Sequence, residues 1–366
     1  MTLSVSGDSI TFPDLSTQLT APSGFGFKNR IINGDMRIDQ RNAGAAVNSN
    51  AAVNPYTVDR WRSVAFAGSN QFSIQQSAVA PTGFVSSLLA TALTVTTVTS
   101  TDAFAIRQPI EGFNCADIGF GTASASVVTL SFWVRSSLTG TFGGAIQNQN
   151  ANRSYPFTYP VTAANTWEYK TVTIAGDTAG TWHANSSGGI NLWLGLGVGA
   201  TLSGTAGAWA SANYASATGA VSLVGTSGAT FYVTGVQLEK GSTATAFDYL
   251  DYGRSLIQCQ RYFCHSNAAG ASPDVNATAY LSAGLASDIE DAALASVMFP
   301  VLMRATPSMT VGRLYSYNGS LYKTITSIYL TAQGIGYMNH DAGNTGGSAY
   351  VLGRPYKFSW IASAEL

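Results

Sequence analysis

Charge is scarce in this sequence: Asp, Glu, Lys and Arg together make up only 10% of it, against about 25% in an ordinary globular chain. No run of Lys or Arg occurs and the net charge is −1, so nothing is arranged to neutralise a phosphate backbone, which argues against nucleic-acid binding. No stretch approaches the roughly 20 consecutive apolar residues of a membrane-spanning helix. The opening residues, MTLSVSGDSITFPD, lack the basic-then-apolar order of a secretory signal. Cysteine is limited to Cys115, Cys259 and Cys264, too few and too unevenly spaced for a disulfide framework. Cys259, Cys264 and His265 lie close together, but no second pair follows to complete a zinc set. Burial beside Tyr262 and Phe263 is the better account of them.

Catalytic signatures are missing as well. There is no G-x-S-x-G elbow, no phosphate-binding loop, no H-E-x-x-H and no G-x-G-x-x-G opening a helix. His183, His265 and His340 are far apart in sequence, and no feature selects a carboxylate pair of the kind glycosidases use. A non-enzymatic role is the expectation.

What is present is apolar and β-forming. Hydrophobic residues make up 46% of the 366 residues, which excludes disorder and suggests two domains plus a tail. Val127–Val134 alternates, with Val128, Leu130, Phe132 and Val134 on one face. Trp167–Ile174, Ile190–Val198 and Thr230–Leu238 read the same way, with Ile190, Leu192, Leu194, Leu196 and Val198 sharing a face. Many such strands with almost no amphipathic helical pattern predict an all-β chain, a β-sandwich of jelly-roll type. A short helix is expected near Tyr249–Phe263, marking a junction. Beyond it a smaller β-domain is expected, with strands near Ser296–Met303, Ser308–Leu314, Ser327–Leu330 and Tyr356–Ile361. Ser287–Val297 has the composition of a helix. The organisation read from this pattern is an N-terminal connector or attachment arm (1–28), a jelly roll (29–250) and a C-terminal β-domain (251–366). No repeat of fixed period is visible.

Aromatic register picks out the candidate site. Trp133, Trp167, Tyr169, Trp193 and Tyr232 are each out of phase with the aliphatic face of their strand. Such rings stack on the apolar faces of sugars or fill a contact between subunits. The subunit contact is the preferred reading from sequence, and the glycan face its alternative. Asp35, Asp39, Asp59 and Glu239 come together to ligate calcium only if the first and last strands of the jelly roll pair. Turn chemistry and pairing with Arg37, Arg60 and Lys240 are preferred over a metal.

Several runs carry a family resemblance: FKNRIINGDMRIDQRNAG (27–44), YTVDRWR (56–62), AIRQPIEGFNCADIGFGTASASVVTLSFWVRSS (105–137), TWEYKTVTIAGDTAGTW (166–182) and ATFYVTGVQLEKGSTATAFDY (229–249). They resemble a domain of phage tail-fibre and related virion proteins whose fold is similar to a carbohydrate-binding-module jelly roll. QCQRYF (258–263), FPVLMRATPSMTV (299–311) and FSWIASAEL (358–366) fit the later half of such proteins, and SITFPDLSTQLTA (9–21) resembles their connectors. The resemblance implies a virion structural protein, a homotrimer joined to other virion proteins through its arm and contacting host-surface glycans. Assembly in a reducing host cytosol, with release by lysis, fits the missing signal and sparse cysteine. The alternatives are a head fibre, decoration or connector with no receptor, a glycan-degrading tailspike, and a secreted bacterial carbohydrate-binding protein.

Overall fold

The computed structural model describes residues 27–266, 269–270, 297–312, 328–336 and 358–366 in full, together with the backbone of short strands elsewhere. Three of those strands, β1 (Ser4–Ser6), β2 (Ser9–Thr11) and β3 (Thr17–Gln18), form one small antiparallel sheet in the arm. The remainder of residues 1–26 lies outside the described residues.

Two antiparallel sheets face each other from Val47 to Lys240. One has six strands: β4 (Val47–Asn50), β6 (Ser69–Ser77), β7 (Ser87–Ala92), β9 (Val128–Ser136), β12 (Glu168–Ile174) and β16 (Thr230–Lys240), in the order β12-β9-β16-β7-β6-β4. The other has five: β5 (Arg62–Ala65), β8 (Ala103–Glu111), β10 (Gly140–Asn148), β11 (Ser154–Val161) and β13 (Gly188–Val198), in the order β11-β10-β13-β8-β5. The short strands β14 (Ser203–Gly204) and β15 (Ser216–Ala217) pair in parallel within the connection from β13 to β16. This is the jelly-roll β-sandwich expected from the alternation. The inward rows Val128, Leu130, Phe132 and Val134 of β9 are fully buried against Ile190, Leu192, Leu194 and Leu196 of β13. Burying side chains of this size stabilises by about 1.5–3 kcal/mol each. Rings join the sheets: Phe132 meets Tyr159 edge-on at 4.9 Å, and Phe142 lies 5.7 Å from Phe231.

Two irregularities change the simple alternation. Register shifts between Gly195 and Gly197, so Leu196 stays in the core while Val198 packs with Val64 and Trp193 on the outside of its sheet. A bulge between Thr234 and Gln237 moves the inward phase of β16 from Phe231 and Val233 to Val236 and Leu238.

Residues 29–46 and 51–61, on either side of β4, close one end of the sandwich as a plug of turns. Asn33 holds both the amide and the carbonyl of Ile38 and donates to the Asp59 carbonyl. Trp61 donates from its indole to the Asn33 carbonyl at 3.0 Å. Gly34 sits where a Cβ would lie 2.1 Å from the Val236 carbonyl oxygen, so the asparagine-glycine pair fits this close approach to the β16 bulge.

Helix α1 (Tyr252–Gln260) begins at Asp251, whose side chain accepts from the Arg254 amide at 3.0 Å. It buries Cys259, which packs with Tyr262, Ile32 and Ile38. β17 (Phe263–His265) then pairs with Trp360–Ser363, which also pairs with Ser308–Val311. Val297, Phe299, Met303, Ile335, Phe358 and Trp360 form a separate small core there. Most of Ser287–Val297 lies outside the described residues, but the backbone of Ala292–Ala293 and of Val297–Met298 is strand, not helix. The expected strand Ser296–Met303 is confined to Val297–Met298.

Candidate functional site

The outer face of the six-stranded sheet carries an aromatic groove. Trp133 on β9 and Tyr169 on β12 are register partners, which brings their rings to 5.4 Å. Beyond the end of β16, residues 241–249 turn back over the same face. Phe247 and Tyr249 from this strap pack against Phe84, with centroids 5.3 and 5.4 Å from it and 4.8 Å from one another. The space between the two ring groups is a groove of about 580 Å³, with Ser131, Gly235 and Thr245 also lining it. That volume lies within the usual range for ligand sites. No lining residue carries a charge. Gly235 has φ of +60° and a Cβ there would stand 2.6 Å from the Phe84 ring, so the bulge residue must be small to keep the floor open.

The strap is fastened by polar groups beneath it. Glu239 is 2% exposed, and among the described residues no cation pairs with it. It accepts from Gln237 Nε2 at 2.8 Å, Thr245 N at 2.9 Å and Thr245 Oγ1 at 2.7 Å. Gln237 Oε1 accepts from the Asp248 amide at 2.8 Å. Hydrogen bonds to a charged acceptor contribute about 1.5–3 kcal/mol each. Glu239→Ala is therefore expected to release the strap. Hydrogen exchange at the amides of Thr245 and Asp248 should rise at least tenfold, with the amides of β9 still protected.

Of the five rings singled out by register, four share this face. Trp167 lies 6.1 Å from Tyr232, one sheet row away from the Trp133–Tyr169 pair. Tyr169 is exposed, and Trp133, Trp167 and Tyr232 are half-buried. Trp193 does not belong with them. It lies on the outside of the five-stranded sheet, 2% exposed, donating to Gln147 Oε1 at 3.2 Å beneath the Arg107 guanidinium and beside Ala215. The connection from β13 to β16 covers that face, so Trp193 is a packing residue.

The four carboxylates considered for calcium are not gathered. Asp35 pairs with Arg37. Asp39 accepts from the amides of Asn42 and Gly44 in a turn. Asp59 accepts from Gln40 N and Nε2, and Glu239 fastens the strap. Among the described residues no group of three or more His, Cys, Asp or Glu side chains is placed to hold a metal ion. The three cysteines are free and buried, and burial pushes the Cys264 thiol up to about 12.

Burial also pushes the Asp59 carboxyl up from 3.8 to about 6, against the opposing pull of Arg41 and the Gln40 donors. The native state thus holds this proton more tightly than the unfolded chain. Its contribution is absent above about pH 6 and grows as the pH falls through 6 toward 3.8. Between pH 7 and pH 5 the wild-type protein should gain on the order of 1 kcal/mol relative to Asp59→Asn, read from urea midpoints at each pH.

Phe84, Phe247 and Tyr249 complete the groove but were not legible as site residues, because none of them sits in an alternating strand. The only signals are the turn-rich PTGF (81–84) for Phe84 and GSTATAFDY (241–249) for the other two. A second ring cluster, Phe120, Tyr155, Trp182 and Trp209, caps one end of the sandwich. Both indoles there donate to backbone carbonyls, of Ala179 and Ala175, which marks a structural knot. A further cavity of about 50 Å³ beside Asp35, Arg37 and Asp248 has room for a few waters.

No protein-family model matches the chain, and no curated protein matches it in sequence. Among solved structures it is similar to the enzymatically active domain of bacteriophage CBA120 tailspike protein 4, at 13% identity and TM-score 0.30, over 60% of this chain and 24% of that one. A putative sugar binding protein from Bacteroides thetaiotaomicron shares 10% identity over 58% of this chain and 100% of its own, with TM-score 0.36. A xylan-binding domain from Paenibacillus barcinonensis shares 11% identity, with TM-score 0.27, over 56% of this chain and 99% of its own. The match spans about a quarter of the tailspike chain. At these levels the likeness extends to no site residue.

Proposed function

We propose that the chain is a non-enzymatic phage virion protein, a tail fibre or receptor-binding component whose jelly roll binds host-surface glycans along the outer face of the six-stranded sheet. The observation that carries this reading is the uncharged groove between Trp133 and Tyr169 on one side and Phe84, Phe247 and Tyr249 on the other. Flat rings there match the apolar faces of pyranose sugars, while Ser131 supplies a hydroxyl. The phage assignment draws on the sequence resemblance, not on the groove. A homotrimer attached through its arm would repeat a weak site three times and gain avidity.

The rings also suit a subunit contact, the preferred reading from sequence. The strap favours a ligand instead, because residues 241–249 build a recess where a flat ring face would serve a neighbouring chain better. Specific adsorption of the purified protein to bacterial cells, abolished by soluble surface polysaccharide, is the expected result. Adsorption absent from every strain tested would favour a purely structural role. Release of reducing ends from that polysaccharide would favour the tailspike alternative.

A further inference from the structure

We infer that the glycan is acidic, and that Arg135 with Trp167 and Tyr232 forms a subsite for a carboxylated sugar beside the groove; this rests on the glycan-binding reading above. Arg135 is two residues from Trp133 on β9, so it projects from the same face, about 7 Å along the strand. Its register partner on β16 is Tyr232. On the other side, the Glu168–Val134 pair places Trp167 opposite Arg135 one step further on. One sheet row thus carries a guanidinium against the Tyr232 ring, with the Trp167 ring packed edge-on to that tyrosine 6.1 Å away.

The side chain is held ready. Arg135 Nε donates to the Asn165 carbonyl at 2.8 Å, and its guanidinium carbon lies 5.0 Å from the centre of the Tyr232 ring. These contacts fix its plane and leave both Nη groups without a hydrogen-bond partner among the described residues. Among the described residues no carboxylate comes within 4 Å of it, nor of Arg62, Arg107 or Arg304, but those three donate from Nη groups to Leu366, Asn191 and the carbonyls of Ser186 and Glu365, which Arg135 does not. An oriented guanidinium with a free edge accepts a carboxylate through two parallel hydrogen bonds. The Trp167 and Tyr232 rings beside it offer stacking surface to the sugar that bears it.

The groove then holds the neighbouring sugar by stacking, and the two subsites together read adjacent residues along a chain. A uronate polymer and a polysialic acid supply the same carboxylate and serve as separate probes.

The test is affinity electrophoresis of the full chain, wild type, Arg135→Gln, Arg135→Lys and Trp133→Ala, through gels containing polygalacturonate, alginate, polysialic acid, dextran or dextran sulfate. Wild type should be retarded by at least one carboxylated polymer, less so in 0.5 M salt as an exposed charge pair requires. Arg135→Gln should weaken that retardation about tenfold to a hundredfold, with an unchanged melting temperature and unchanged retardation by any neutral glycan bound. Arg135→Lys should fall between, because it keeps the charge and loses the fork. Equal retardation of wild type and Arg135→Gln overturns the inference while leaving the groove reading intact. So does stronger binding to dextran sulfate than to every carboxylated polymer, which marks a non-specific polyanion effect. If nothing in the panel retards wild type more than Trp133→Ala, the groove reading falls and the inference with it.

Discussion

Replacing Glu365 with alanine is expected to lower folding stability by about 3–5 kcal/mol, the largest effect of any single substitution considered. Glu365 belongs to the last residues of the chain, yet its carboxylate sits inside the plug of the sandwich. One oxygen accepts from Arg41 Nη2 at 2.7 Å and the other from Arg60 Nη1. Arg60 is 1% exposed, lies 3.6 Å over the Tyr262 ring and donates its other Nη to the Pro109 carbonyl. Arg41 lies 3.6 Å over Phe263, and burial lowers its pKa. Removing the carboxylate strands the Arg60 guanidinium and leaves Arg41 with only the more distant Asp59, 4.0 Å away, and both cations have little access to water.

A reciprocal arrangement stands nearby. Arg261, beyond α1, reaches the sandwich carboxylate Glu111 at 2.9 and 2.6 Å, and Tyr262 donates to the same group. Arg304 adds hydrogen bonds to the carbonyls of Ser186, Ala364 and Glu365. Each side of the junction thus supplies a carboxylate to arginines of the other. Urea unfolding of Glu365→Ala should show a lowered midpoint, and the C-terminal small core should melt before the sandwich. An unchanged midpoint would show that the two arginines find water or other acceptors without cost.

The second large effect is on binding. Trp133→Ala is expected to weaken glycan binding more than thirtyfold, the loss typical of a central anchor residue worth 2 kcal/mol or more. Its melting temperature should change little, because the ring is half-exposed and packs outside the main core. Trp133 touches Tyr169 across the ladder and stands beside Gly235 at the groove floor, so its removal opens the recess and takes away its largest flat surface. Trp193→Phe is the matched control. It alters a ring of the same type on the other sheet, away from the groove, and should leave binding unchanged.

Much of the sandwich was legible because period-2 alternation is enforced by burial. Val128, Leu130, Phe132 and Val134 cannot leave the core without turning the strand over. Val198 was misassigned for a physical reason: a shift at Gly197 flips the face, and nothing in the alternation announces it. The aromatic register identified four residues of the outer face, since a ring out of phase with the aliphatic row must point outward. It could not tell which outward face stays open. That depends on where connections run, and the one between β13 and β16 covers Trp193. The groove wall was invisible because Phe247 and Tyr249 reach it through a turn held by Glu239, whose partner Thr245 lies six residues on. Glu365 was likewise illegible: its partners Arg41 and Arg60 are more than 300 residues away. Asp35, Asp39, Asp59 and Glu239 looked like one donor set in a linear reading, and the fold assigns each to a separate local task.

The central claim is that the groove between Trp133 and the strap binds sugar. The most direct measurement is an equilibrium titration of the purified chain with soluble fragments of bacterial surface polysaccharide, followed by tryptophan fluorescence. A saturable change in wild type that disappears in Trp133→Ala and persists in Trp193→Phe is the predicted result. A saturable change that survives in Trp133→Ala at the wild-type affinity would place the sugar elsewhere on the molecule and contradict the account.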